Sequence, residues 1–284
     1  PTAALEVETG AFRYCTEALV DLSATQDRLT ADVVGQVKEL LHPLGDSLIA
    51  TLRENRLKVH IHTNNPELAM EKLSPLGELI EQKADDMYLQ NSLRRTAKGG
   101  VGIVTDSIAD VPDAFLLDHG VSVIPLGVLV RGTAYLDKIT MRLQQLFREM
   151  DNPDGYPTSS QPEPARIQSL LSARLDQFDS LVVLSVADKL SGTYQALAKA
   201  ASRLSTPEKP ITVIDTKLNS GAQGLLVKLA AEIFGSLKGR KVLVVGAGKM
   251  SELAARHLHR SGADQIFVTN RTHDRAVEMA ELFH

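Results

Sequence analysis

A single cysteine, Cys15, stands in a chain of 284 residues. One thiol cannot build an intrachain disulfide framework. Its scarcity fits a reducing compartment, so the chain is expected to be cytoplasmic. No apolar run approaches the roughly 18–20 residues that span a bilayer, and there is no signal-like start. Positive charge is not in excess: Lys and Arg number 31 against 35 Asp and Glu, for a net charge of −4. That balance argues against a nucleic-acid or membrane-surface partner. Internal repeats and low-complexity segments are missing too. What is left is an ordinary globular composition, 43% hydrophobic and 23% charged, with length for about two domains. The chain opens on Pro1 and closes inside a helical pattern at Phe283 and His284, and both ends read as cut.

Three textures follow one another. The first, residues 1–97, mixes strand-like and helix-like runs as a small α+β domain. "FRYCTEALV" (12–20), "SLIATLR" (47–53) and "LKVHIHT" (57–63) read as strands, the last two joined by the turn "ENR". "TADVVGQVKELLHPLG" (30–45) and "NPELAMEKLSPLG" (65–77) read as helices, and "NSLRRTAKGG" (91–100) as a linker. The second, 98–232, alternates strands and helices. "VGIVTDS", "VSVIPLGVLV", "SLVVLSV" and "ITVID" read as buried strands of a parallel sheet, with helices predicted at 140–150, 163–175, 191–205 and 219–234. The third, 233–284, continues with "KVLVVGAG" and "QIFVTN", each followed by a helix. The fold class expected is α/β: a parallel-sheet domain extended by a Rossmann-like βαβα fragment and preceded by the α+β domain.

His60 and His62 lie two apart on a predicted strand, so both imidazoles project to one face and can converge on a metal ion, with Cys15 of another strand as a thiolate. The spacing equally allows two half-buried histidines and a core thiol. "YCTEALV" (14–20), "KVHIHTNNPE" (58–67) and "GELIEQKADDMYLQ" (77–90) resemble the middle domain of bacterial fatty acid kinases. The resemblance implies zinc held by Cys15, His60 and His62, with a fourth ligand not visible. It also implies a kinase nucleotide-binding domain as partner, without which this chain phosphorylates nothing.

In the second segment, hydroxyl residues gather where strands end and helices begin: "TDSIAD" (105–110), "PTSSQPEP" (157–164) and "DKLSGTYQ" (188–195). Free N–H groups at helix N-termini favour anions, and ligands of parallel sheets sit at the carboxyl ends of strands. These residues therefore suggest an anionic headgroup site of Ser159, Ser160, Ser191 and Thr193, with Gly192 in the same turn, although each alone reads first as a cap or turn. In order and spacing, "IVTDSIADVP", "VIPLGVLVRGTAYLD", "TSSQPEP", "LSGTYQAL" and "VIDTKLNSGAQGLLV" resemble the DegV family. The resemblance implies a long-chain fatty acid, its carboxylate held by hydroxyl side chains, with Asp106 and Ser107 shaping the headgroup loop. It also implies a second lobe, expected after about Glu232, where a different pattern begins.

That pattern, "VLVVGAGKMSELAARHL", fits G-x-G-x-x-small, with Gly246, Gly248, Lys249 and Met250 in the turn. The next strand ends in Asn270, Arg271 and Thr272. An arginine there favours the extra phosphate of NADP over NAD. Residues 233–283 resemble the start of the NADPH-binding domain of glutamyl-tRNA reductase. That enzyme needs a catalytic cysteine domain and a helical dimerisation domain besides, so the resemblance implies a catalytically incomplete fragment. The whole reads as a composite: a lipid-binding module joined within the helix "SGAQGLLVKLAAEIFGSLKG" to a reductase fragment, by natural recombination, by an assembly join or by design. No catalytic residue is assigned.

Overall fold

The computed structural model describes residues 11–25, 32–95, 100–152, 155–234, 241–245, 251–252, 255–256, 265–270 and 272–281. These divide into two compact units, one of residues 1–96 with 125–163, the other of 97–124 with 164–284.

In the first unit, strands β1 (Tyr14–Asp21), β2 (Gly45–Arg53), β3 (Arg56–Thr63) and β4 (Glu78–Asp86) form an antiparallel sheet of order β2-β3-β1-β4. Side chains alternate along a strand, so each presents one set inward and one outward. On β1 and β3 the inward set is Ala18, Val20, Leu57, Val59 and Ile61. These pack against helices α1 (Val33–Leu41) and α2 (Pro66–Leu73) through Val33, Val37, Leu41, Ala69, Met70 and Leu73. Asp32 caps α1 by accepting the Gly35 N–H. The other face of the sheet carries Cys15, Glu17, His60 and His62, all half-buried.

Residues 91–95, expected as linker, are helical: helix α3 runs Met87–Arg95. Asp86 accepts the Leu89 N–H at 2.9 Å and so starts the helix, and no glycine or proline interrupts it before Arg95.

The run "VSVIPLGVLV" was expected as one strand of the parallel sheet and is two. Pro125 has no N–H to give to a ladder. Before it, β6 (Ser122–Ile124) belongs to the parallel sheet of the second unit. After it, β7 (Gly127–Val130) joins β8 (Thr133–Leu136) and β9 (Thr158–Ser160) in an antiparallel sheet of the first unit. This excursion, with helix α5 (Leu143–Met150), is anchored to the α+β domain. Leu136 packs with Tyr14 and Ala84, Gln82 donates to the Ala134 carbonyl at 2.9 Å, and Gln145 donates to Glu71 at 2.9 Å.

In the second unit, β5 (Val101–Asp106), β6, β10 (Ser180–Ser185) and β11 (Ile211–Asp215) form a parallel sheet of order β11-β10-β5-β6. Alternation along β5 and β10 sends Val104, Leu181 and Val183 to one face, against helices α6 (Pro164–Leu175) and α7 (Thr193–Leu204). Ile103 and Leu184 go to the other, against α4 (Asp113–Asp118) and α8 (Ser220–Phe234). Strands covered on both faces read as unbroken apolar runs.

Strands β12 (Lys241–Val245) and β13 (Gln265–Thr269) pair in parallel with each other and form a sheet of their own. Among the described residues, neither strand pairs with the four-stranded sheet. A final helix spans His273–Glu281.

Helix α8 offers a test of the packing. A Cβ on the buried Gly224 would lie 2.2 Å from the Asp110 carbonyl oxygen, whereas one on Gly221 meets nothing within 4 Å. Gly224→Ala is expected to destabilise the second unit by roughly 1–3 kcal/mol. Gly221→Ala should be neutral or slightly stabilising. Urea denaturation of both variants separates the two outcomes.

Candidate functional site

Two constellations emerge, one in each unit. In the first unit, β1 lies between β3 and β4. Cys15 lies opposite His62 on β3 and Asp85 on β4, and Glu17 lies opposite His60 and Lys83. The ligand-capable atoms of Cys15, His60 and His62 all lie within 4.8 Å of one another. Cys15 Sγ is 4.0 Å from His60 Nδ1, and the two imidazole centroids are 5.1 Å apart. One thiolate with two imidazoles is a donor set that suits zinc. The three residues singled out in the sequence are thus brought together by the register.

The surroundings of this cluster are charged. Burial pushes the Cys15 thiol up, reinforced by the carboxylates of Asp85 and Glu17 and opposed by Lys83. Burial also works against the ionised Glu17, but Lys58 and His60 outweigh it and hold Glu17 below the ordinary carboxylate range. Glu17 and Asp46 were not picked out from the sequence. The available signal was alternation: a residue two places from Cys15 shares its face.

In the second unit, the sheet order has β5 followed by β6 on one side and by β10 on the other. The chain changes direction there, and crevices outside such switch points hold ligands in open α/β sheets. At that edge sits Asp106, with no exposed surface. Its Oδ2 accepts from the Val186 N–H at 2.7 Å and the Ser185 hydroxyl at 3.2 Å. Its Oδ1 accepts from the Ile108 N–H at 3.1 Å and Gln223 Nε2 at 3.0 Å. Burial raises its carboxyl pKa against the pull of Val186, Gln223, Ile108 and Ser185. Ser107, equally buried, donates its backbone N–H to the Ile124 carbonyl at 3.0 Å. These hydrogen bonds tie the loop after β5 to the ends of β6 and β10 and to α8.

Gln223 escaped the sequence reading, yet it is fully buried and also reaches Thr105 Oγ1 at 3.3 Å. Its signal was a lone amide inside the apolar helix "SGAQGLLVKLAAEIF".

The loop after β10 leads to α7 through Ser191, Gly192 and Thr193. Ser191 is half-buried. Thr193 is wholly buried, and its hydroxyl lies 2.8 Å from Ser191 Oγ, which also accepts the Thr193 N–H at 3.3 Å. Ser159 and Ser160 belong to the first unit, on β9, paired with Val128 and Gly127 of β7. Ser159 is exposed and Ser160 half-buried.

Of the residues expected to meet a nucleotide, Gly246, Gly248, Lys249, Met250 and Arg271 lie outside the described residues. Asn270 follows β13 and donates from Nδ2 to the Thr272 carbonyl at 3.1 Å. Among the described residues, no helix is long and apolar enough to cross a membrane.

Two measurements check these environments. With its folded pKa raised, Asp106 contributes stability that is fully present below the unfolded pKa and is lost as pH rises through the folded one. Asp106→Ala strands buried donors and should cost roughly 2–4 kcal/mol. In urea denaturation that deficit is expected to shrink as pH rises above the ordinary carboxylate range. Iodoacetamide should label Cys15 of the metal-free chain slowly at neutral pH and faster above the ordinary thiol range, because only the thiolate reacts.

Similarity to known proteins runs along the chain in three stretches. Residues 11–94 match the FakA-like middle domain of fatty acid kinase, residues 100–236 the uncharacterised DegV family, and residues 228–284 shikimate/quinate 5-dehydrogenase. The last two matches overlap at 228–236, within and just beyond α8. A DegV domain-containing protein of Clostridium acetobutylicum is 31% identical over 133 residues, covering 47% of this chain and 47% of its own length. The glutamyl-tRNA reductase of Solibacter usitatus is 74% identical over 57 residues, 20% of this chain and 14% of the enzyme. Among solved structures, a fatty-acid-binding DegV family protein from Thermus thermophilus is 29% identical, covering 57% of this chain and 53% of that one, with a TM-score of 0.46. The chain thus spans about half the length of the DegV relative and a small part of the reductase. In order along its length, it is similar to the FakA-like middle domain of fatty acid kinase, to the DegV family, and to shikimate dehydrogenases and glutamyl-tRNA reductases.

Proposed function

We propose that the chain is a lipid-binding protein that holds the carboxylate of a long-chain fatty acid at the carboxyl edge of its parallel sheet. The observation that carries this reading is the Ser191–Gly192–Thr193 turn at the N-terminus of α7, beside the switch point between β5 and β10. It lies in the stretch matching the DegV family. The Thr193 N–H donates to Ser191 Oγ, and when the Thr193 hydroxyl donates there too, the Ser191 proton is free to point outward. A carboxylate accepting that proton also meets the unpaired N–H groups of the first turn of α7. Asp106 keeps the neighbouring loop in place without touching the ligand. Ser159 and Ser160, grouped with Ser191 in the sequence, lie on β9 of the first unit and are not part of this turn.

Zinc on Cys15, His60 and His62 is the second element of the proposal. When bound, it supplies a cross-link between β1 and β3. Uptake releases the thiol proton, so affinity is expected to fall as pH falls. The match of residues 11–94 supports a kinase nucleotide-binding domain as partner, with phosphoryl transfer assigned to that domain.

A second reading is favoured by the reductase identity over 57 residues. In it, Gly246, Gly248, Lys249 and Met250 approach the pyrophosphate of NADP, while Asn270, Arg271 and Thr272 take its adenosine phosphate.

Ser191→Ala is expected to weaken binding of a long-chain fatty acid by about 10- to 100-fold, the effect of losing one hydrogen bond to a charged group. Calorimetry showing unchanged affinity removes Ser191 from the headgroup site. For the second reading, NADPH fluorescence titration should show binding that Arg271→Glu abolishes; no binding to the unaltered chain sinks it.

A further inference from the structure

The face that holds Cys15, His60 and His62 carries more donors than those three. The register lays two rows across the sheet: Asp85, Cys15, His62 and Asp46 in one, and Lys83, Glu17 and His60 in the next. We propose that Glu17 is the fourth ligand of this metal site and that Asp46 is the positioning residue of His62. The proposal rests on the reading of Cys15, His60 and His62 as a zinc site.

Bonds of about 2.0–2.3 Å to tetrahedral zinc put ligand atoms about 3.3–3.7 Å apart. His60 Nδ1 is 3.5 Å from Glu17 Oε1 and 4.0 Å from Cys15 Sγ. One imidazole nitrogen therefore has a carboxylate oxygen at the edge length of a coordination tetrahedron and a sulfur a little beyond it; Cys15, His60 and His62 already lie within 4.8 Å of one another, and Glu17 completes the set by a turn of its side chain. The other Glu17 oxygen, Oε2, lies 3.4 Å from Lys58 Nζ, which leaves Oε1 to act as a one-oxygen ligand. Two other carboxylates stand near and are less suited. Asp85 stands on β4, separated by β1 from the strand that carries both histidines, and its Oδ2 is held by Lys83 at 2.8 Å. Asp46 faces His62 Nδ1 at 3.5 Å, on the edge strand β2. A carboxylate on one ring nitrogen of a metal-bound histidine fixes its tautomer and leaves the other nitrogen to the metal. Asp46 meets that description, and His62 then binds through Nε2.

Cobalt(II) reports coordination directly, so the experiment titrates the full chain, stripped of metal, with cobalt and then with zinc in competition. The unaltered protein is expected to take up one cobalt, with a thiolate-to-metal charge-transfer band and the intense visible bands of four-coordinate cobalt. Glu17→Gln should keep the thiolate band, lose the four-coordinate intensity and bind zinc about 10- to 100-fold more weakly. Asp46→Asn should weaken zinc binding while the cobalt spectrum stays four-coordinate. Spectrum and affinity unchanged in Glu17→Gln overturn the ligand assignment and leave the three-residue zinc reading standing. Unchanged affinity in Asp46→Asn overturns the positioning role. No thiolate band in the unaltered chain overturns the zinc reading and this proposal together, and Cys15→Ser, which removes the chain's single thiol, serves as the blank for that band.

Discussion

A carboxylate with no exposed surface must be surrounded by donors, and Asp106 collects four from three parts of the chain. Burying a charge costs several kcal/mol unless hydrogen bonds replace the lost water, by the usual order of magnitude for such groups. The end of β5, the start of the loop after β10, and α8 are therefore held in one arrangement. The turn at Ser191 leaves the sheet from that same loop, so its position is inherited from this buried network. Gln223 completes the arrangement, since its amide also reaches Thr105 Oγ1 and the Leu184 carbonyl. A polar cluster of this kind specifies one geometry for the strand ends, whereas the apolar layers on either side set which faces are covered.

The first unit depends on a different constraint, the alternation of side chains on β1. Inward residues such as Ala18 and Val20 pack against α1 and α2, and this burial leaves Cys15 and Glu17 on the opposite face. A slip of one residue would exchange the two sets, so the register is strongly specified. The same register puts Cys15 opposite His62 and Glu17 opposite His60. Core packing on one face thus positions the metal-capable residues on the other, with no need for the ligands themselves to define the fold.

The local patterns in the sequence were readable where a segment carries its own instruction. The His-x-His strand, the proline-started helices and the apolar runs of β5 and β10 announce themselves by period and by capping residues. Other features needed information from elsewhere in the chain. "VSVIPLGVLV" is uniformly apolar, and Pro125 gave the only hint that its halves serve different sheets. Residues 91–95 are polar but for Leu93 and precede the glycine pair at 99–100 by a few residues, yet Asp86 starts a helix that includes them. Strands β12 and β13 have the period of a parallel sheet, but period carries no statement of which sheet. Gln223 looked like an ordinary helix residue because its partners are more than a hundred positions away in the sequence or across the sheet.

By itself, then, the sequence determined the α/β class, the succession of three family-like stretches, and the identity of Cys15, His60, His62 and Ser191 as chemically capable residues. Those follow from local period, composition and short motifs, which depend on neighbours along the chain. Tertiary structure decided that Asp106 is a buried structural carboxylate, that Thr193 turns its hydroxyl to Ser191, that residues 125–163 fold with the N-terminal domain, and that Glu17 and Asp46 stand beside the histidines. Each of these depends on strand register or on burial against distant residues, and neither quantity is written in any one segment.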